Sequence, residues 1–160
     1  MDHLWTPWRF EHVSSRRLES ECVFCRLLFE EQDRQNLILL RKKHSYLLLN
    51  RYPYTTGHLL VVTRRHIATL TEASSEELVE IIQLASCCEN VLFRAYQPDG
   101  FNVGCNLGKS AGAGVVGHLH LHVVPRWEGG ANFVSVVGET RLVPEDLQQT
   151  YEKLLPYFSK

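Results

Sequence analysis

Apolar and polar positions alternate in blocks along this chain, and the blocks change period. Three short apolar runs, "NLILLRKK", "SYLLLN" and "HLLVVTRR", are β-type and are separated by polar or Pro/Gly turns such as "RYPYTTG". The period then becomes helical. "SSEELVEIIQLASCCENVLFRAY" opens with Ser74 and Glu77 in capping-box spacing and carries Leu78, Ile81, Ile82, Ala85 and Cys88 on one stripe. "GFNVGCNL" and "HLHLHVVP" predict two more strands around a glycine-rich link. A short helix is expected at "CVFCRLLFEEQD". A last one is expected to start at Pro144, with Leu147, Tyr151, Leu154 and Phe158 on a common stripe. Five strands, one long helix and short helices at either end predict an α+β domain with a mostly antiparallel sheet.

The order of elements leaves no linker for a second domain, so residues 1–160 are expected to form one domain. An aromatic arm would occupy residues 1–20 and the last helix residues 140–160. Composition agrees: 160 residues, 44% apolar and 22% charged, are typical of a globular chain, and the net charge of -1 argues against binding nucleic acid or membrane by bulk charge. No apolar run reaches the roughly 18 residues of a membrane span, and "MDHLWTPWRFEHV" lacks a signal peptide's apolar core. Five cysteines, an odd number, do not suggest a disulfide framework, and a cytoplasmic location is expected. Cys87, Cys88 and Cys105 read as small core residues, whereas Cys22 and Cys25 form a C-x-x-C pair, redox-active or merely structural when taken alone.

Three of the eight histidines stand at alternate positions, His118, His120 and His122. A period of two sends all three to one strand face and Leu119, Leu121 and Val123 to the other, with alternate residues roughly 6.6 Å apart. Such a row could be a solvated face, a zinc site with an open position, or a nucleophile with its orienting neighbours. The preceding loop, "NLGKSAGAGVVGH", narrows the choice, because small residues bring several backbone N–H groups close to an anion. It is not a P-loop: Gly104 precedes Gly108 by four residues, and a strand follows instead of a helix. A phosphate cradle running into imidazoles points to phosphoryl or nucleotidyl transfer through histidine.

The pattern from His118 to Val124, H-φ-H-φ-H-φ-φ, resembles the signature of the histidine triad (HIT) superfamily, and the likeness extends along nearly the whole chain. "LWTPWR" and the segment from "HVVPRWEGGANF" onward are similar to the bacterial branch that includes diadenosine tetraphosphate phosphorylases. The resemblance implies a HIT-like fold and a catalytic set of His118, His120 and His122. In that set His120 attacks the α-phosphate of a nucleotide and His122 contacts a non-bridging oxygen, while the His118 carbonyl, or another backbone group, fixes the tautomer of His120. It further implies that Asn50 binds ribose hydroxyls, His58 supports the triad, Asn106 reaches the phosphates, and Trp127 belongs to the substrate site. Read alone, Asn50 could be a turn former, His58 a core histidine and Asn106 a strand-end cap.

One departure stands out. Relatives carry Gln followed by Ser or Thr just before the triad, whereas this chain has Gly112-Ala113-Gly114-Val115, so Ser110 or backbone N–H groups such as that of Gly114 would have to assist. The resemblance also implies a structural zinc held by Cys22, Cys25, His66 and His118, a nucleotide or dinucleoside polyphosphate substrate, and a homodimer. Trp5, Trp8 and Trp127 add aromatic surface that a small domain does not readily bury. A nucleotide-binding module with little catalysis and a zinc metallohydrolase are the competing functions.

Overall fold

The computed structural model describes residues 22–129 and 145–158. The aromatic arm with Trp5 and Trp8 lies outside them, as does Pro144. In chain order the elements are α1 (Val23–Phe29), β1 (Ile38–Arg41), β2 (Ser45–Leu49), β3 (Leu59–Thr63), α2 (Ser75–Tyr96), β4 (Gly100–Gly104), β5 (His120–Arg126) and α3 (Leu147–Phe158). The strands form one sheet in the order β1-β2-β3-β5-β4, and every pairing is antiparallel.

β2 and β3 are buried at every position, which explains why they read as unbroken apolar runs: both sheet faces are covered. On one face α2 and α3 pack over Leu47, Leu49, Leu59, Val61, Leu119 and Val123. On the other, α1 inserts Phe24 among Ile38, Tyr46, Leu48, Leu60 and Val62. The buried Tyr46 hydroxyl donates to the Phe24 carbonyl at 2.8 Å, and Arg41 donates to the Leu27 and Leu28 carbonyls at the end of α1. A seven-residue helix thereby gains anchors that its own hydrogen bonds cannot supply.

The predicted capping box is present. The Ser74 hydroxyl accepts from Glu77 N–H at 3.3 Å, and the Glu77 carboxylate accepts from Ser74 N–H at 2.7 Å. Several expectations are corrected. Ile82 is 62% exposed, and Leu84 occupies the buried stripe with Ile81, Ala85, Cys88, Val91 and Leu92. A rotation of 100° per residue carries Ile82 past the edge of the face that Ile81 buries. Cys88 is buried but Cys87 beside it is exposed, and Cys105 is half-buried. The last helix begins at Leu147, because Asp146 takes the capping position and its carboxylate accepts from Gln149 N–H at 2.9 Å. Tyr151, Leu154 and Phe158 are buried as expected. β5 begins at His120 and not at His118: Leu119 N–H donates to the Ile67 carbonyl, and Thr63, the last residue of β3, donates its N–H to the Leu119 carbonyl.

Candidate active site

The alternation of β5 places His120 and His122 on the α1 face. Pairing with β3 sets His120 opposite Val62 and His122 opposite Leu60. His118, just before the strand, turns its ring to the same side and meets Phe24 edge-on at 5.4 Å between centroids. Phe24 also lies 5.0 Å from the His120 ring, and the His120 and His122 rings are 5.0 Å apart. His118 and His120 are 1% and 5% exposed, so neither belongs to a solvated strand face.

Backbone contacts decide which ring nitrogen carries each proton. Nδ1–H of His120 donates to the carbonyl oxygen of His118 at 2.8 Å, which leaves the Nε2 lone pair as the basic one. Burial lowers the His120 pKa, partly opposed by that hydrogen bond, so the ring is neutral near pH 7. A second chain runs through His58, which is fully buried. Its Nδ1 accepts from Tyr54 N–H at 3.1 Å, so its proton resides on Nε2, which faces His122 Nδ1 at 3.0 Å. Burial, reinforced by the neighbouring His122 and His120, depresses the His58 pKa to about 3. Asn50 sits against the same ring: its side-chain amide is 3.3 Å from His58 Nδ1, and its side-chain oxygen accepts from Tyr52 N–H at 3.0 Å. Asn50 thus shapes the turn and also borders the histidine row.

β4 is the edge strand next to β5, with Gly104 opposite His122. Asn106 follows two residues later, past the end of β4, and is half-buried. Ser110 is exposed within a single 3₁₀ turn, Lys109–Ala111, flanked by Gly108 and Gly112 at φ 82° and 85°. Those values are closed to most L-residues, so glycine is required at both ends of this turn. Gly114 is exposed in the same loop, whereas Ala113 is buried. Trp127 does not join the cluster. Its indole N–H donates to the Tyr96 carbonyl at 3.4 Å, at the far end of β5 and against α2.

The His118 ring belongs to a second group, with His66 and two cysteines. Cys22, Cys25, His66 and His118 bring one potential ligand atom each to within 4.8 Å of one another. Cys22 Sγ lies 3.3 Å from His118 Nδ1, Cys25 Sγ 3.3 Å from His66 Nδ1, and Cys25 Sγ 3.6 Å from His118 Nδ1. A tetrahedral zinc with bonds of about 2.3 Å to sulfur and 2.0 Å to nitrogen has S···N edges of roughly 3.5 Å, so the four residues fit such an ion. His118 is also in the right tautomer, since its Nε2–H donates to the Thr63 carbonyl at 2.7 Å and leaves Nδ1 toward the sulfurs. The group draws one histidine from the triad and no carboxylate, which matches a closed structural site and not a catalytic one.

Three residues of this arrangement were not singled out from the sequence. Phe24 packs between α1 and the histidines, Thr63 supplies a backbone carbonyl, and the Tyr54 ring stacks on His122 at 6.0 Å with 12° between planes. An aromatic residue inside "CVFC" and another inside "RYPYTTG" were the available signals, but neither spacing says which ring each would meet.

An antiparallel five-stranded sheet presenting this histidine row on its α1 face defines a protein class. A profile of the HIT domain matches residues 31–129, and the chain belongs to that family. It is 36% identical over 157 residues to an AP-4-A phosphorylase of Mycobacterium tuberculosis, spanning 94% of this chain and 80% of the relative. An adenylylsulfatase of Arabidopsis thaliana is 30% identical, over 72% of this chain and 57% of that protein. Among solved structures, a zinc-bound histidine triad family protein from Mycobacterium smegmatis superposes with a TM-score of 0.71 at 26% identity, covering 88% of this chain and 94% of that one.

Proposed function

We propose that the protein is a nucleotide-processing enzyme that cleaves dinucleoside polyphosphates at an α-phosphate through a covalent nucleotidyl-histidine, with phosphate as the second acceptor. The observation that carries this reading is the 2.8 Å bond from His120 Nδ1–H to the His118 carbonyl, because it leaves Nε2 as the basic nitrogen of a neutral ring. In the first step the His120 Nε2–P bond forms while the bridging P–O bond breaks, its electron pair leaving with the nucleoside polyphosphate. In the second, a phosphate oxygen attacks the same phosphorus and Nε2 departs, so diadenosine tetraphosphate and phosphate would give ATP and ADP. His122 donates to a non-bridging oxygen. Asn50 and Asn106 hold ribose and phosphates, and Ser110 with loop N–H groups stands in for the absent Gln-Ser/Thr pair. The AP-4-A phosphorylase relative favours phosphate over water.

Cys22, Cys25, His66 and His118 would hold a structural zinc. Bound there, the ion supplies a crosslink between two thiolates and two imidazoles and no open coordination position. The reading extends to a cytoplasmic homodimer. α2 exposes Val79, Ile82 and Phe93 on one stripe, and β4 ends the sheet with an exposed Val103, so a second copy would cover both. Among the described residues no helix is long and apolar enough to cross a membrane. Incubation with diadenosine tetraphosphate, with and without inorganic phosphate, tests the activity: ATP with ADP, formed only when phosphate is present, is expected. ATP with AMP would make the enzyme a hydrolase, and no cleavage would leave a binding module. Light scattering at micromolar concentration should give twice the chain mass.

A further inference from the structure

The β2–β3 loop is closed on itself and pinned to the neighbouring strand. Asn50 N–H donates to the His58 carbonyl at 2.9 Å, and its side chain captures Tyr52 N–H. Gly57 turns the chain back at φ 77°, and the Thr55 hydroxyl donates to the Pro125 carbonyl of β5 at 3.0 Å. The loop therefore delivers Tyr54 in a defined place. Its amide points at His58 Nδ1, and its ring lies 4.7 Å from the His58 ring and nearly parallel to that of His122.

Resting on the reading of the triad given above, we propose that Tyr54 is the positioning residue for His122: its amide sets the proton pattern of the His58–His122 pair, and its ring holds the His122 plane. A neutral imidazole has one N–H and one lone pair. His58 Nδ1 faces two donors, Tyr54 N–H at 3.1 Å and the Asn50 side-chain amide at 3.3 Å, so the only proton that His58 can offer is on Nε2, and His122 Nδ1 receives it across 3.0 Å. The proton of neutral His122 is then on Nε2. His122 meets a phosphate oxygen as a hydrogen-bond donor without first becoming an imidazolium. The depressed pKa of His58 keeps the pattern intact, because a charged His58 would have to donate from Nδ1 toward the Tyr54 amide. The stacked phenol ring limits rotation of His122 about its side-chain bonds, so the donor direction is set before substrate arrives.

The amide contribution survives any substitution at position 54 other than proline, whereas the ring contribution does not, and this separates the two. Ring-nitrogen NMR on the full chain labelled at histidine is the direct measurement. In the parent and in Tyr54→Phe, both His58 and His122 should show protonated Nε2 and unprotonated Nδ1, with equal kcat. In Tyr54→Leu, His58 should keep its pattern, which certifies that the loop is folded, while His122 shows averaged nitrogen shifts. The kcat on diadenosine tetraphosphate should fall about tenfold or more, with KM changed less than about threefold. Finding His122 protonated on Nδ1 in the parent would overturn the proposal, as would a Tyr54→Leu protein matching Tyr54→Phe in both spectrum and kcat. The spectra need no substrate, so they stand apart from the fate of the phosphorolysis assay.

Discussion

His118 and His120 are joined by backbone, not by their rings: the His118 carbonyl accepts Nδ1–H of His120 at 2.8 Å, while the His118 ring turns away to Cys22 and to the Thr63 carbonyl. One residue therefore faces the Cys/His group with its side chain and the proposed nucleophile with its main chain. Whatever stiffens His118 also aims His120.

Replacing the nucleophile gives the sharpest outcome. His120→Ala should lower turnover by on the order of 10⁴-fold or more while nucleotide binding persists. Parent enzyme quenched during turnover should carry an acid-labile nucleotide on His120, located by mass spectrometry. A label on another residue, or an active His120→Ala protein, would end the covalent-histidine reading.

The Cys/His group should contain about one zinc per chain by metal analysis, lost in both Cys25→Ala and His66→Ala. The ion would tie α1, the turn after β3 and the approach to β5, three segments distant in sequence. Because the sheet has its own core on both faces, Cys22→Ala should melt several degrees lower yet keep the parent's far-UV circular dichroism. Activity should drop only partly, since His120 is not among the four residues. Purified protein without metal, together with a Cys22→Ala protein that melts like the parent, would remove the site.

Acid should destabilise the fold in two windows. His58 has a folded pKa near 3 against an ordinary 6.5, so the unfolded chain binds the extra proton and stability falls as pH drops from 6.5 toward 3. Glu77, held near 2 by its hydrogen bonds from Arg65 and its capping role, contributes stability that is present above 4.5 and lost toward 2. In the upper window the single group His58 has a limiting slope of about 1.4 kcal/mol per pH unit. Urea unfolding between pH 7 and 5 should show the slope in the parent and a shallower one in His58→Gln. Equal slopes would show that His58 titrates normally in the folded protein.

Gly57→Ala should destabilise and misplace the loop together. Its φ of 77° favours glycine, and an added Cβ would lie 3.0 Å from Leu92 Cδ2 of α2. A cost on the order of 2 kcal/mol corresponds to a melting temperature lower by roughly 4–8 °C. Because His58 is the next residue, kcat should fall as well. An unchanged melting temperature would show that the loop adjusts freely.

The amino-acid sequence by itself determined the parts whose causes are local. Ser74 and Glu77 lie three residues apart, so their reciprocal cap needs only the first helical turn. Alternation sends His120 and His122 one way, and the apolar runs of β2 and β3 announce strands. Tertiary structure decided everything that depends on closure of the chain. Whether Ile82 or Leu84 enters the core is set by the rotational phase of α2 against the sheet, which a stripe of neighbouring apolar residues leaves open by one step. Trp127 shares a sequence neighbourhood with the triad but packs against Tyr96, because β5 carries it to the opposite end of the sheet. The tautomers of His58 and His120 follow from a loop amide and the carbonyl of the residue that leads into β5, and a backbone group leaves no trace in residue identity. Tyr54 meets His122 only because antiparallel pairing of β3 with β5 lays residues more than sixty positions apart side by side. Sequence carries the chemistry of each side chain; register and packing choose its partner.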